Sequence, residues 1–164
     1  MVKEKRVLII MGVSGTGKST IGQLLSEHLE IPFFDGDDFH PKENVVKMSA
    51  GKPLNDEDRK GWLMTLNQLA KKQPTGAVIA CSALKEKYRQ LLRNGLEDSM
   101  VFIHLEGSFE LIKSRLERRK GHFMPLQLLQ SQFDTLEAPS NAITVSVSEP
   151  PENILQNVLT QLKT

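Results

Sequence analysis

Val7-Leu8-Ile9-Ile10-Met11-Gly12-Val13-Ser14-Gly15-Thr16-Gly17-Lys18-Ser19-Thr20 runs from an unbroken apolar stretch, through a glycine-rich loop, into a helical pattern. Five apolar residues in a row suit a strand buried on both faces. Residues 12–19 fit G-x-x-x-x-G-K-[ST]. Glycine at Gly12, Gly15 and Gly17 lets the loop fold so that its backbone N–H groups turn inward on an anion. The helix that follows adds its positive N-terminus. The pattern assigns Gly12, Val13, Ser14, Gly15, Thr16 and Gly17 to a phosphate cradle. Lys18 reaches the β- and γ-phosphates of a nucleoside triphosphate, Ser19 offers its hydroxyl to Mg²⁺, and Thr20 brings a second hydroxyl within reach. The blander reading is a glycine-rich turn that binds nothing. The strand before the match and the amphipathic helix after it are the context the phosphate loop requires.

Outward from this loop, short apolar runs alternate with stretches of 3.6-residue period. Strands are predicted at 31–34, 77–81, 100–105 and 142–147, besides 7–11. Helices are predicted at 18–30, from Asn55 to Lys72, and at 83–93, with Asp56, Glu57 and Asp58 in the first turn of the second. Three more follow, one after Ser108, one over 125–137 and one opened by Pro151. Strand and helix in alternation give a parallel α/β sheet covered on both faces, a three-layer sandwich. No linker divides the chain, so residues 1–164 are expected to form a single domain.

Composition agrees. The 164 residues carry 21 Lys and Arg against 20 Asp and Glu, a net charge of +1. That balance excludes a uniform field for nucleic acid or an anionic membrane. The single cysteine, Cys81, excludes a disulfide scaffold and a Cys-rich zinc site, and suits a reducing, cytoplasmic setting. No apolar run approaches the ~20 residues of a membrane span.

Two further groups stand at strand ends, where open α/β sheets hold ligands. Asp35-Gly36-Asp37-Asp38-Phe39-His40-Pro41 follows the second strand. If the strand continues, Asp35 and Asp37 point the same way. One carboxylate would then serve Mg²⁺ and the other an acceptor hydroxyl. The alternative is an acidic turn held by Asx bonds. His40 reads as a turn residue or as a donor to a polyol hydroxyl. After the third strand comes Cys81-Ser82-Ala83-Leu84-Lys85, with Tyr88 and Arg89 beyond. Lys85 and Arg89, four apart, share a helix face, and an anion such as a carboxylate would relieve their repulsion. The alternative is a solvated face. Cys81 reads as a small buried residue. Arg115 and Arg119 repeat the spacing before Gly121. They suggest the hinge of a lid whose arginines neutralise a phosphoryl group, or simple compensation of the helix dipole.

A phosphate loop alone does not separate kinases from GTPases and motors. No guanine-reading Asn/Thr-Lys-x-Asp is present, and the third strand ends Ala80-Cys81-Ser82 rather than in the Asp of a water-activating NTPase. A small-molecule kinase fits best. A shikimate-type or nucleoside monophosphate kinase, and a nucleotide-dependent binding module, are the competing readings.

The blocks Met11 to Ser19, Asp35-Gly36-Asp37 with His40-Pro41, Pro53-Leu54-Asn55-Asp56 with Asp58-Arg59 and Trp62-Leu63, Cys81 to Lys85 with Tyr88-Arg89, and Arg119 to Met124 together resemble the bacterial thermoresistant-type gluconokinases. The resemblance runs in order from about residue 7 to residue 139. It implies ATP-dependent phosphorylation of D-gluconate at its 6-hydroxyl. It also implies an adenylate- or shikimate-kinase-like P-loop fold with sheet order 2-3-1-4-5, a mobile lid over about 119–138, and a homodimer. By the same resemblance Lys18, Asp37 and Arg119 carry the chemistry, and Asp35 sits with Ser19 at the metal. Asp35, His40, Lys85 and Arg89 hold the sugar acid with Asp37, and Arg115 and Arg119 close over ATP.

Overall fold

The computed structural model describes residues 5–118 and 125–162. Its five strands are β1 (Arg6–Met11), β2 (Phe33–Asp35), β3 (Gly76–Ala80), β4 (Met100–Glu106) and β5 (Ala142–Ser146). They form one parallel sheet in the order β2-β3-β1-β4-β5, as the resemblance implies. The helices are α1 (Lys18–Leu29), α2 (Lys42–Ser49), α3 (Asp56–Lys71), α4 (Glu86–Arg93), α5 (Phe109–Arg118), α6 (Leu126–Thr135) and α7 (Pro151–Leu162). None of the described helices is long and apolar enough to cross a membrane.

The central strand explains the layers. Val7 to Met11 are all fully buried, and successive side chains leave opposite faces. Val7, Ile9 and Met11 pack with Trp62, Leu63 and Leu66 of α3 and Leu92 of α4. Leu8 and Ile10 pack with Ile21 and Leu25 of α1 and Val158 of α7. A strand sandwiched in this way has no face for polar residues, which is why it reads as an unbroken apolar run.

Local signals set the helix ends. The Asn55 side chain accepts from the Asp58 N–H, and Asp58 returns a bond to the Asn55 N–H, closing a capping box on α3. Ser108 Oγ accepts from the Leu111 N–H at the start of α5.

Gly76 opens β3 with φ +102, and a Cβ there would lie 2.0 Å from the Arg6 carbonyl oxygen on β1. Gly76→Ala therefore combines a left-handed backbone with a clash against a neighbouring strand. It should destabilise the fold by more than about 3 kcal/mol, read as a lower urea midpoint. A loss under about 1 kcal/mol would show that β1 and β3 part more easily than their register suggests.

Candidate active site

The phosphate loop joins β1 to α1. Gly17 caps α1 in the left-handed region at φ 90, and a Cβ at Gly12 would lie 2.8 Å from the Leu105 carbonyl oxygen on β4. The loop is braced from within: the buried Thr16 hydroxyl donates to the Val13 carbonyl at 3.0 Å. The Lys18 ammonium donates to the carbonyls of Gly12 (3.0 Å) and Val13 (2.9 Å). The Gly12 N–H reaches across to the Ser82 carbonyl at 3.2 Å, tying the loop to the end of β3. Ser19 and the exposed Thr20 lie in the first turn of α1, and both line the cleft that opens beyond it.

That cleft has a volume of about 730 Å³, in the range that holds a small molecule or cofactor. Lys18, Asp35, Asp37, His40, Lys52 and Arg59 supply its charged and titratable walls.

The acidic turn differs from the expected continuation of a strand. β2 stops at Asp35, and residues Gly36–Phe39 form a 3-10 turn. A Cβ at Gly36 would sit 2.5 Å from the Ala80 carbonyl oxygen, so glycine lets the chain turn tightly against β3. Asp35 nevertheless converges with Asp37, because it caps the turn and its Oδ1 accepts from the Asp37 N–H at 3.0 Å. Its Oδ2 faces the Ser19 hydroxyl, which donates to it at 3.3 Å. A hydroxyl and a carboxylate side by side at a phosphate loop are the hard oxygen donors that a divalent ion takes when phosphate oxygens supply the rest of its shell. Among the described residues no cluster of three His, Cys, Asp or Glu could hold a metal alone.

Desolvation on the cleft wall raises the Asp37 pKa above its ordinary value. Desolvation leads and repulsion from Asp35 adds to it; Lys18 opposes and Asp38 reinforces. The side chain is still 81% accessible, so water tempers the shift. His40 is the reverse case. Its ring is 3% accessible and stacks on Trp62 with centroids 4.0 Å apart and planes 18° apart. Burial, helped by the nearby Arg59 guanidinium, lowers its pKa to about 4, so it is neutral at pH 7. Trp62 is 3% exposed in the core and still bears on the site, since its Nε1–H donates to the Gly36 carbonyl at 2.7 Å.

The basic residues fall differently from their spacing. Lys85 is not in a helix: it is the extended N-cap of α4, with φ −114 and ψ 151. It shares no helix face with Arg89 and pairs instead with Asp56 at 3.3 Å. Asp56 also receives Lys87 and the Tyr88 hydroxyl, and these hydrogen bonds hold its carboxyl well below the usual range. Arg89 is 1% exposed. Its guanidinium donates to the carbonyls of Ala83 (2.7 Å) and Glu137 (2.9 Å) and pairs with Glu86. Ala83 has φ 47, and Arg89 holds that strained turn in place. Neither Lys85 nor Arg89 lines the cleft. Arg115 is likewise turned aside, donating to the Val147 carbonyl. Arg119, expected beside it, lies outside the described residues, as does 119–124 of the expected lid.

Lys52, Arg59 and Gln132 also line the cleft and are missing from the sequence reading of the site. Lys52 follows α2, and Arg59 on α3 donates through Nη1 to the Leu54 carbonyl (2.7 Å) and the Tyr88 hydroxyl (3.0 Å). Gln132 on α6 grips the phosphate loop: its Oε1 accepts from the Ser14 N–H at 2.7 Å, and its Nε2 donates to Ser14 Oγ at 3.1 Å. A helix residue 118 positions away leaves no local spacing signal. Cys81 is buried, and burial pushes its thiol up to about 12, so it is inert as a nucleophile.

Residues 14–163 match the Shikimate kinase family model. The chain is 42% identical over 167 residues to the thermoresistant gluconokinase of Escherichia coli (strain K12), covering 98% of this chain and 95% of that one. It is 44% identical over 160 residues to the gluconokinase of Gluconobacter oxydans, covering 94% and 89%. Among solved structures, a gluconokinase from Sinorhizobium meliloti 1021 superposes with a TM-score of 0.90 at 40% identity, over 99% of this chain and 94% of that one. A shikimate kinase from Aquifex aeolicus, at 23% identity and TM-score 0.62, shares the fold.

Proposed function

Because the chain belongs to the gluconokinases, within the kinase family that the shikimate-kinase model describes, we propose that it transfers the γ-phosphoryl group of ATP to the 6-hydroxyl of D-gluconate. The products are 6-phospho-D-gluconate and ADP. The 42% identity to a gluconokinase over nearly the whole chain carries this reading, and the cleft supports it, since a phosphate-loop lysine and the Asp37 carboxylate both line it.

In this reading the loop amides and Lys18 bind the phosphates, Lys18 exchanging its own loop's carbonyls for phosphate oxygens. Ser19 Oγ and the Asp35 carboxylate would hold the divalent ion, Mg²⁺, which when bound neutralises charge on the β- and γ-phosphate oxygens. Asp37 accepts the proton of the 6-hydroxyl, or orients it toward the phosphorus. Its raised pKa makes it a stronger base once ionised. Arg59 and Lys52 are the cations that line the acceptor side of the cleft, and they take the gluconate carboxylate. Lys85 and Arg89 act behind that surface, through Asp56 and the Ala83 turn. Arg115 and Arg119 close over ATP with a lid over about 119–138, and Gln132 tethers that lid to the phosphate loop. The same proposal includes a homodimer in the cytoplasm.

A coupled ADP-release assay over D-gluconate, shikimate and nucleoside monophosphates tests it. Gluconate should accelerate ADP release well above the rate without acceptor, and ³¹P NMR should show one phosphomonoester on carbon 6. Acceleration by shikimate or a nucleotide, with none by gluconate, would overturn the assignment.

A further inference from the structure

Asn44 lies in α2, 3% exposed and off the cleft wall. Its Nδ2 is 2.8 Å from the Asp58 carbonyl oxygen and 3.2 Å from His40 Nδ1. A carbonyl only accepts, so the amide must turn its NH₂ group to this corner; its own oxygen there would face another oxygen. One N–H goes to Asp58. The other goes to His40 Nδ1, which accepts through its lone pair. A neutral ring with an accepting Nδ1 carries its single proton on Nε2.

That Nε2 stands 3.8 Å from Asp37 Oδ1. The gap is too long for a direct hydrogen bond, and an oxygen about 2.8 Å from each atom fits between them. A hydroxyl matches both sides, since its lone pair accepts from Nε2–H while its proton points to the carboxylate.

We infer that Asn44 is a positioning residue that fixes His40 as the Nε2–H tautomer, so that His40 and Asp37 together take one hydroxyl of the substrate, His40 as donor and Asp37 as acceptor. The inference rests on the gluconate reading and deepens it, because a polyol chain supplies such a hydroxyl. With the tautomer reversed, Nε2 would offer a lone pair and the hydroxyl would meet two acceptors with one proton. The ring is otherwise fixed: Trp62 holds its plane, and Trp62 in turn holds Gly36. The charged groups around it are Asp37 on its own loop and Arg59 on α3, with Lys47 of α2 and Asp58 of α3 paired to each other at 2.5 Å.

Long-range ¹H–¹⁵N NMR of the ¹⁵N-labelled protein at pH 7 reads the tautomer directly, with the ring assigned as the one lost in His40→Gln. The wild type should show a protonated Nε2 and a bare Nδ1. Asn44→Asp puts an acceptor opposite Nδ1, and an oxygen against the Asp58 carbonyl, and should place a proton on Nδ1. It should also lower kcat/KM for gluconate about tenfold, the worth of one misdirected hydrogen bond, with KM for ATP unchanged. Trp62, the single tryptophan, reports by its emission that the stack survives. A wild-type ring protonated on Nδ1, or on both nitrogens, overturns the inference whatever the activity. So does an Asn44→Asp protein that folds with tautomer and kcat/KM unchanged. A wild type with the expected tautomer and no gluconate turnover would instead overturn the gluconate reading.

Discussion

Asp37→Asn should lower kcat with gluconate by about 10²- to 10⁴-fold, the range that a positioned general base contributes, and leave ATP affinity nearly unchanged. The amide keeps the shape of the carboxyl and cannot accept the hydroxyl proton. The backbone bond from the Asp37 N–H to Asp35 survives the change, so the turn keeps its form. The pH profile adds a second mark. The Asp37 pKa is raised in the folded protein, by desolvation first and then by Asp35. The wild-type rate should therefore climb with pH through an ionisation above that of an ordinary Asp, and Asp37→Asn should lack that limb. Stability has the opposite sign. A carboxyl whose folded pKa exceeds its unfolded value loses stability as pH rises from the unfolded pKa through the folded one. Once ionised, Asp37 is thus a burden on the fold, and the Asn variant should melt no lower than wild type. A kcat loss under about tenfold, about 1.4 kcal/mol, would remove Asp37 from the proton-accepting role.

The parts of this molecule legible in its sequence are those fixed by local chemistry. The β1 run has no polar residue because no face of it meets water, and the loop after it is spelled by glycines and Lys18 that sit within eight residues. The Asn55 cap of α3 is equally local. Asp35 and Asp37 were findable because strand ends collect ligands, although the turn that brings them together is a 3-10 turn against Ala80 and not a longer strand. What stays hidden depends on packing between distant segments. The spacing of Lys85 and Arg89 suggests a shared face only if the helix includes both, and α4 begins one residue too late. Arg89 then points into the protein, where Ala83 and Glu137 take its donors. Arg59 looks like an ordinary charge in the second turn of α3, and only the approach of α4 shows it beside Tyr88 at the cleft. No residue near Ser14 announces Gln132.

Lys18→Ala should lower kcat/KM for ATP and gluconate by at least about 10³-fold, through two losses at once. The first is direct. The ammonium now rests on the Gly12 and Val13 carbonyls, at 3.0 and 2.9 Å, and is the loop's own cation for the β- and γ-phosphates. Without it the charge on the transferring group has one fewer fixed partner, in the ground state and more so in the transition state. The second loss passes through Asp37. Lys18 is the cation that opposes the rise of the Asp37 pKa. Its removal should push that pKa higher still and move the acid limb of the residual rate to higher pH. Lys18→Arg should restore little, because a planar guanidinium is not a compact point charge and would have to fit within a loop braced by Thr16. Since the two residues act on one phosphoryl transfer, Lys18→Ala combined with Asp37→Asn should lose little more than the worse single variant. Losses that multiply in the double variant would mean that Lys18 and Asp37 serve separate steps. A Lys18→Ala enzyme retaining more than a tenth of wild-type activity would detach the phosphate loop from the chemistry altogether.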